Sequence, residues 1–552
     1  MDTSRWKDGT RRWARALGER TRSGGREALR TVRRLPRRTT RALLAVAIVV
    51  ALLLLAVVLV DVLIDEPLRA SIERRMNAAL QGYTVRIGGA DLNPWNLSLE
   101  LTDLVVLQQA HPDPPVLDLE AFEFSVEWRA LLRLRLVADA RIVRPRLFVH
   151  LAQLREERDD EVDLDERGWQ DALEEAYPLK INAVRVAGGS VTYVDEDPER
   201  PLELSGIRIL ARNLRNVVDP ESRLPSTFRA SAAVFESGRA ALAGRADFLA
   251  EPSPAVLADA RVEAVPLDRL GPLIEDYRLQ VSRGELSARG ELEYGPERRR
   301  ATLDEVLIAG IHIDYVSDPA LTQRAVEAVT EARREPSTEI VVRRLRLTGS
   351  ELGFISRARE PHYRLFLSGT ELTVDGWSNQ PDAEGSRFRA RGAFMGSGRT
   401  AIQGVFRPDS EGADFDLALA IEGTRLAAMN DLLRAYANLD VTEGMFSFYS
   451  EVRVADGRID GYVKPLFHEV EVYDAEQDRE EGFFQKLWER IAEGLAEILE
   501  NPPREDVATV ADIAGPVSNP DASNLQVVLN LIENAFFDAI LPGFREEAKN
   551  DD

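Results

Sequence analysis

The stretch GMFSFYSEVRV, residues 444–454, reads as a β-strand, and the rest of the chain repeats its texture. Successive side chains of an extended chain point to opposite faces, so Phe446, Phe448, Ser450, Val452 and Val454 share one side, while Met445, Ser447, Tyr449, Glu451 and Arg453 share the other. One face is apolar and the other wet. The same period sets Phe415, Leu417, Leu419 and Ile421 against Asp414, Asp416, Ala418 and Ala420, and Leu286, Ala288, Leu292 and Tyr294 against Ser287, Arg289, Glu291 and Glu293. Gly188-Gly189, Ser237-Gly238, Ser397-Gly398 and Asp456-Gly457 are hairpin signals between such runs. The pattern predicts many short antiparallel strands, roughly twenty-five to thirty by this spacing of turns. Leu417, Leu419, Ile421, Phe446, Phe448, Val452 and Val454 are the candidate lining of the apolar side. That side is either an open trough in which acyl chains can lie or half of a closed two-layer core; alternation is the same for both.

Comparing the chain with itself extends the reading. Phe228-Arg229-Ala230 recurs as Phe388-Arg389-Ala390, Ser237-Gly238-Arg239 as Ser397-Gly398-Arg399, Gly244 as Gly404 and Gly189-Ser190 as Gly349-Ser350, all at an offset of 160. Leu267, Leu273 and Tyr277 match Leu426, Leu432 and Tyr436 at 159. Two β units, 184–315 and 345–474, therefore share one plan of strands, a short capping helix (Leu267–Tyr277, Leu426–Tyr436) and further strands. Gly244 and Gly404 should mark equivalent tight or bulged positions. Before the repeats, 65–150 forms a first unit that opens with a short helix from Pro67 to Leu80 bearing Leu68, Ile72, Met76 and Leu80 on one face. An acidic linker with a short helix occupies 151–183, a helical linker 316–344, and C-terminal helices with a closing segment 475–552. In the last of these, Phe483, Phe484, Leu487, Trp488, Ile491, Leu495 and Ile498 form a helical stripe compatible with core packing, a lid over a sheet end or contact with a membrane surface.

The N-terminus has a different character. Residues 1–41 carry fourteen Arg or Lys against four acids, an excess of +10 inside a chain whose formal net charge is −23. From Ala42 to Val60 every residue is Ala, Val, Leu or Ile, and nineteen helical residues span roughly 28 Å, about one hydrocarbon core. The run exceeds the apolar core of a secretory signal and continues through Ile64, so 42–64 reads as an uncleaved transmembrane anchor. Arginine-rich flanks stay cytoplasmic, which places 1–41 inside and the bulk of the chain outside the inner membrane.

Several chemistries are excluded. With no cysteine there is no disulfide, thiolate nucleophile or Cys-type zinc site. His111, His150, His312, His362 and His468 lie far apart, and the excess of acid removes the basic surface that nucleic acid needs. The segment Asp163–Glu174 approaches a calcium loop, but Arg167 stands where an oxygen ligand belongs. Ser397-Gly398-Arg399 suits a hairpin tip better than a phosphate cradle. No catalytic, cofactor-binding or metal residues are assigned, and the chain is read as a non-enzyme.

Resemblance to a family rests on Asp91-Leu92-Asn93-Pro94-Trp95 after the anchor, on Leu432-Leu433-Arg434-Ala435-Tyr436, on the 444–451 run, on Asp456–Phe467 and on Asn534-Ala535-Phe536-Phe537 with Leu541-Pro542-Gly543. In these the chain resembles the AsmA-like bacterial envelope proteins of the type carrying the domain of unknown function 748. The resemblance implies a mainly β fold with helices: a single transmembrane helix, then an elongated, curved, repeat-built antiparallel β-sheet forming a groove in the periplasm, with short capping helices and C-terminal helices. It also implies phospholipid transport toward the outer membrane or envelope maintenance, with the inner membrane, phospholipid and an envelope protein as partners. A periplasmic scaffold or regulator of outer-membrane protein assembly is the alternative. Alkaline phosphatase fused after Asp552 should be active in cells; activity there only from a cytoplasmic reporter would reverse the topology.

Overall fold

The computed structural model describes residues 65–80, 82–93, 96–126, 137–150, 180–194, 199–214, 224–248, 250, 254–271, 278–295, 298–317, 338–357, 360–380, 385–407, 414–437, 440–472 and 511–516. Helix α1 (residues 65–79) precedes β1 (Tyr83–Asn93), β2 (Ser98–Gln108), β3 (Leu117–Val126), β4 (Val137–Val143) and β5 (Arg146–His150). Seven strands follow: β6 (Lys180–Val194), β7 (Leu202–Leu214), β8 (Ser226–Val234), β9 (Gly238–Asp247), β10 (Ala255–Pro266), β11 (Leu279–Tyr294) and β12 (Arg299–Ser317). Seven more repeat them: β13 (Glu339–Ser356), β14 (Tyr363–Ser378), β15 (Ser386–Phe394), β16 (Gly398–Arg407), β17 (Asp414–Arg425), β18 (Val441–Ala455) and β19 (Arg458–Val472). Between β17 and β18 lie a 3-10 turn (Leu426–Met429) and helix α2 (Asn430–Ala437), and β20 (Ala511–Pro516) pairs with β19. The anchor at 42–64, the residues 151–179 and 318–337 of the two linkers, residues 272–277 of the expected first capping helix, and 475–552 apart from β20 lie outside the described residues; of that helix a 3-10 turn at Asp268–Leu270 is described.

All twenty strands belong to one sheet. Pairing runs from β1 to β20 in chain order, with β4 and β5 end to end between β3 and β6. Every pair is antiparallel except where units meet: β4 and β5 run parallel to β6, and β12 runs parallel to β13. The fold is thus mainly β, as the alternation predicts, and the described residues form twenty strands, many of them longer than the short strands expected.

The reason is a seam of bulges. β10 and β11 slip between Val262 and Val265, and β17 and β18 slip between Ile421 and Thr424. β6 and β7 slip around Gly189, β13 and β14 around Ser350, β7 and β8 after Ser205, and β14 and β15 after Ser368. Left-handed backbone follows the same line: Gly206 and Gly369 at φ 58 and 59°, Gly284 and Gly444 both at 134°, Gly310 and Glu469 at 61 and 50°. A bulge adds one residue and reverses which parity faces the core. Ile308 is therefore joined on its face by Ile311 and Ile313, and Leu345 and Leu347 by Leu352. A long strand with one parity break imitates two short strands in sequence. Gly188-Gly189, expected as a hairpin turn, lies at this seam inside β6, with Gly188 at φ 75°. Ser237-Gly238, Ser397-Gly398 and Asp456-Gly457 do sit at hairpin ends.

The 65–150 segment corresponds to the second half of a unit. Asn77 of α1 gives its Nδ2 hydrogen to Val85 O (2.9 Å) and accepts from Val85 N (2.7 Å); Asn430 of α2 does the same with Val441 (2.9 and 3.0 Å). Gly88 sits against Asp103 (φ 50°) in the strand pair after α1, as Gly444 and Glu469 do after α2. Along α1 the clamp continues: Ile87 N donates to Glu73 Oε2 (3.1 Å), Arg69 Nη1 to Ile87 O (3.0 Å) and Leu92 N to Asp65 Oδ1 (3.3 Å). Side chains of a helix thereby satisfy the outer edge of β1, which would otherwise be open to another strand.

The duplication reaches single atoms. Phe228 pairs across from Gly244 and Phe388 from Gly404. A Cβ on Gly244 would lie 2.1 Å from Leu257 O, and one on Gly404 2.2 Å from Asp416 O and 2.6 Å from Phe388 Cε1. An aromatic ring over a strand glycine fills the place of the missing side chain. Gly404→Ala should therefore lower stability by about 1–3 kcal/mol, as overpacking does, and Gly244→Ala by a similar amount, measured by urea unfolding; a cost at one position and none at the other would sever the equivalence.

Candidate functional site

The sheet has two unlike faces. On the apolar one, β17 and β18 bring the seven candidate residues together: Leu417 faces Val452, Ile421 faces Phe448, and Phe415 faces Val454, with Leu419 opposite Ser450 and Phe446 opposite Thr424. All seven join one cluster with Leu426, Met429, Leu432 and Leu433 of the segment that includes α2. Phe446 and Val454 are 0% exposed, Phe448 2% and Ile421 3%. Phe446 lies 5.3 Å from the Phe467 ring, and Phe388 stacks on Phe406 at 4.7 Å. At this end the apolar face is filled by the chain's own hydrocarbon, with only Leu417 and Leu419 part-exposed among the seven. A second filled region lies at α1, where Ile72 and Met76 pack on Leu80, Val85, Ile87, Leu101 and Leu104.

Between these ends the same face is built from smaller residues. Pairing aligns Val256, Ala258, Ala260 and Val262 of β10 with Phe415, Leu417, Leu419 and Ile421 of β17, and Leu286 and Ala288 of β11 with Phe446 and Phe448 of β18. Ala246 similarly stands where Phe406 does. Ala230, Leu242, Ala260, Val262, Leu286 and Ala288 are all half-buried. This alanine-rich row is not among the lining residues expected from the sequence, which lie in the aromatic run of β17 and β18. Aligning the two units and asking which positions shrink is the signal that finds it.

The other face is charged and paired. Arg289 and Arg346 both meet Glu305 (3.1 Å each), and Arg344 meets Asp375 (2.8 Å). Hydrogen bonds from Arg399 and from the Tyr449 hydroxyl hold the Glu422 carboxyl below the usual carboxylate range. At the parallel joint, Arg364 of β14 reaches Asp314 Oδ1 of β12 and Glu351 Oε1 of β13 (2.8 Å each) and lies 3.0 Å from His312 Nε2. Burial alone would lower the Arg364 pKa; its bonds to Glu351 and Asp314 reverse this and raise it. A Cβ at Gly353 would fall 1.7 Å from Asp314 Oδ1, so the glycine makes room for the cluster. These groups satisfy one another and pin three strands across the joint. No cluster of three or more His, Asp or Glu able to hold a metal occurs among the described residues, and no helix among them is long and apolar enough to cross a membrane.

Comparison of the chain with models of known protein families and with curated proteins finds no match. Among the described residues the arrangement offers a wide uncharged face. One misfit marks where that surface is self-filled: Thr424 is 0% exposed and its Oγ1 has no hydrogen-bond partner, whereas Val265 occupies the matching place in the first unit. Thr424→Val should stabilise the protein by about 1–2 kcal/mol by removing a buried unsatisfied hydroxyl; calorimetry showing a loss instead would mean that the hydroxyl is satisfied.

Proposed function

We propose that the chain is an envelope protein of the AsmA-like type, anchored in the inner membrane by 42–64, whose periplasmic sheet carries phospholipid acyl chains on its apolar face toward the outer membrane or in envelope maintenance. The observation that carries this reading is the single sheet with one uncharged face, continuous from strand to strand and left half-exposed in its middle strands. A soluble domain normally covers such a face with a second layer; a surface meant for hydrocarbon has reason to leave it accessible. The aligned bulges support a curled sheet, since each increases local twist and bends its strand. Curling along the seam makes the apolar face the concave side of a groove, with the ion-paired face turned to water.

Nineteen strand positions at about 4.8 Å reach roughly 90 Å if flat, and less when curled. That length suits work near one membrane, or one element of a longer assembly with an envelope partner. The full chain extracted in mild detergent should carry phospholipid detectable by native mass spectrometry at a stoichiometry of about one or more per chain. Consistent recovery of lipid-free protein would favour the scaffold or regulator of outer-membrane protein assembly.

A further inference from the structure

Resting on that reading, we infer that the acyl-binding surface is a bounded cradle in the first unit, across β8–β11, and that the second unit is its self-filled twin, not a continuation of the path. The two units have one backbone plan, so side chains at matched positions show what the same space takes. In the second unit it takes hydrocarbon: Leu419 and Phe448, together with Phe406, Phe415 and Phe446. In the first unit these positions hold Ala260, Ala288, Ala246, Val256 and Leu286. The backbone is retained, and among the described residues the side chains at half-buried Ala260 and Ala288 are smaller than their twins, while Ala246 is already covered, at 0% exposure.

What belongs there follows from the lining. Ala230, Leu242, Ala260, Val262 and Ala288 offer no donor, acceptor or charge, so a peptide would leave its N–H and C=O groups unsatisfied against them. An alkyl chain carries no such groups. The row from β8 to β11 crosses four strands, about 15–20 Å, the scale of one fatty acyl chain. Its limits are built in. Towards the second unit, Leu267, Ile311 and Leu347 with Leu345 and Leu352 close the face, followed by the aromatic cluster around Phe446; towards the N-terminus the small residues give way to larger, half-buried Ile209 of β7 and Val186 of β6, and then to Ile142, which packs on the α1 cluster. The ligand class is a single-chain segment of a membrane lipid, held by its tail.

The test uses the full chain and vesicles of phosphatidylethanolamine and phosphatidylglycerol doped with a phospholipid bearing a diazirine on one acyl chain. After irradiation, adducts should map to peptides containing Ala230, Leu242, Ala260 and Ala288. Ala260→Leu with Ala288→Phe copies the twin's side chains onto a backbone plan that already accepts them, and should cut adducts at least fivefold while the thermal midpoint is kept. Leu419→Ala with Phe448→Ala should create new adducts on β17 and β18, and this gain decides the matter should the filled variant misfold. Adducts undiminished by filling, no gain on emptying, or equal labelling of both units in the unaltered chain would overturn the cradle while leaving lipid carriage standing. No adduct anywhere would remove lipid carriage and the cradle together.

Discussion

Everything in this sheet depends on its bulges being in line. A strand pleat allows an apolar residue on a given face only at every second position, and one inserted residue reverses the parity beyond it. A bulge in one strand alone would throw half of its apolar residues onto the charged side, against its neighbours' arginines and carboxylates. The seam avoids this by crossing the sheet as a row: Gly206 in β7, Ala264 in β10, Gly284 and Gly310 in β11 and β12, then Gly349, Gly369, Gly423, Gly444 and Glu469. Hairpins β8–β9 and β15–β16 end at the row, with Phe235 and Glu236, or Met395 and Gly396, left-handed at the tips. The cost of left-handed backbone at non-glycine residues, about 1 kcal/mol or more each, is offset by keeping both faces uniform.

Given that frame, the described strands of the two units differ in how the apolar face is furnished. One is packed with rings and closed by α2, and the other is lined with alanine. Helices recur where a half-unit begins, and their asparagines stand in for a missing strand, Asn77 against Val85 and Asn430 against Val441. Where two units meet, the chain changes to parallel pairing and secures the joint with Arg364, Asp314 and Glu351 rather than with apolar packing alone. A repeat array so built needs a neighbour or a cap at each end. α1 supplies the cap at β1, and β20 lies along the first part of β19.

Much of this was legible in the residues. The parity of 446–454 is as read, with Phe446, Phe448, Ser450, Val452 and Val454 all buried and Met445 41% exposed. Gly244 and Gly404 are the close approaches that strand glycines signal. The run 426–436 folds as a turn and helix, and the helix read at 67–80 spans 65–79. A parity break looks like a strand end, so one long strand reads as two short ones, and Gly188-Gly189 reads as a turn because a bulge and a hairpin ask the same left-handed backbone of glycine. The half-unit at 65–150 stayed hidden because what it shares with α2–β18–β19 is a clamp and an opposed pair of special backbone positions, with little identity of residues. The alanine row is hard to read from the sequence because small residues give a weak apolar signal until a twin with large ones is laid beside them.

On the proposed reading, one sheet presents a single apolar face whose middle takes lipid hydrocarbon. An electron cryo-microscopy map of the full chain extracted with its native lipid tests it most directly. Elongated density is expected along Ala230, Leu242, Ala260 and Ala288, with none above Phe446 and Phe448. Density lying on the Arg289–Glu305 face, or a second protein layer covering the alanine row, would contradict it.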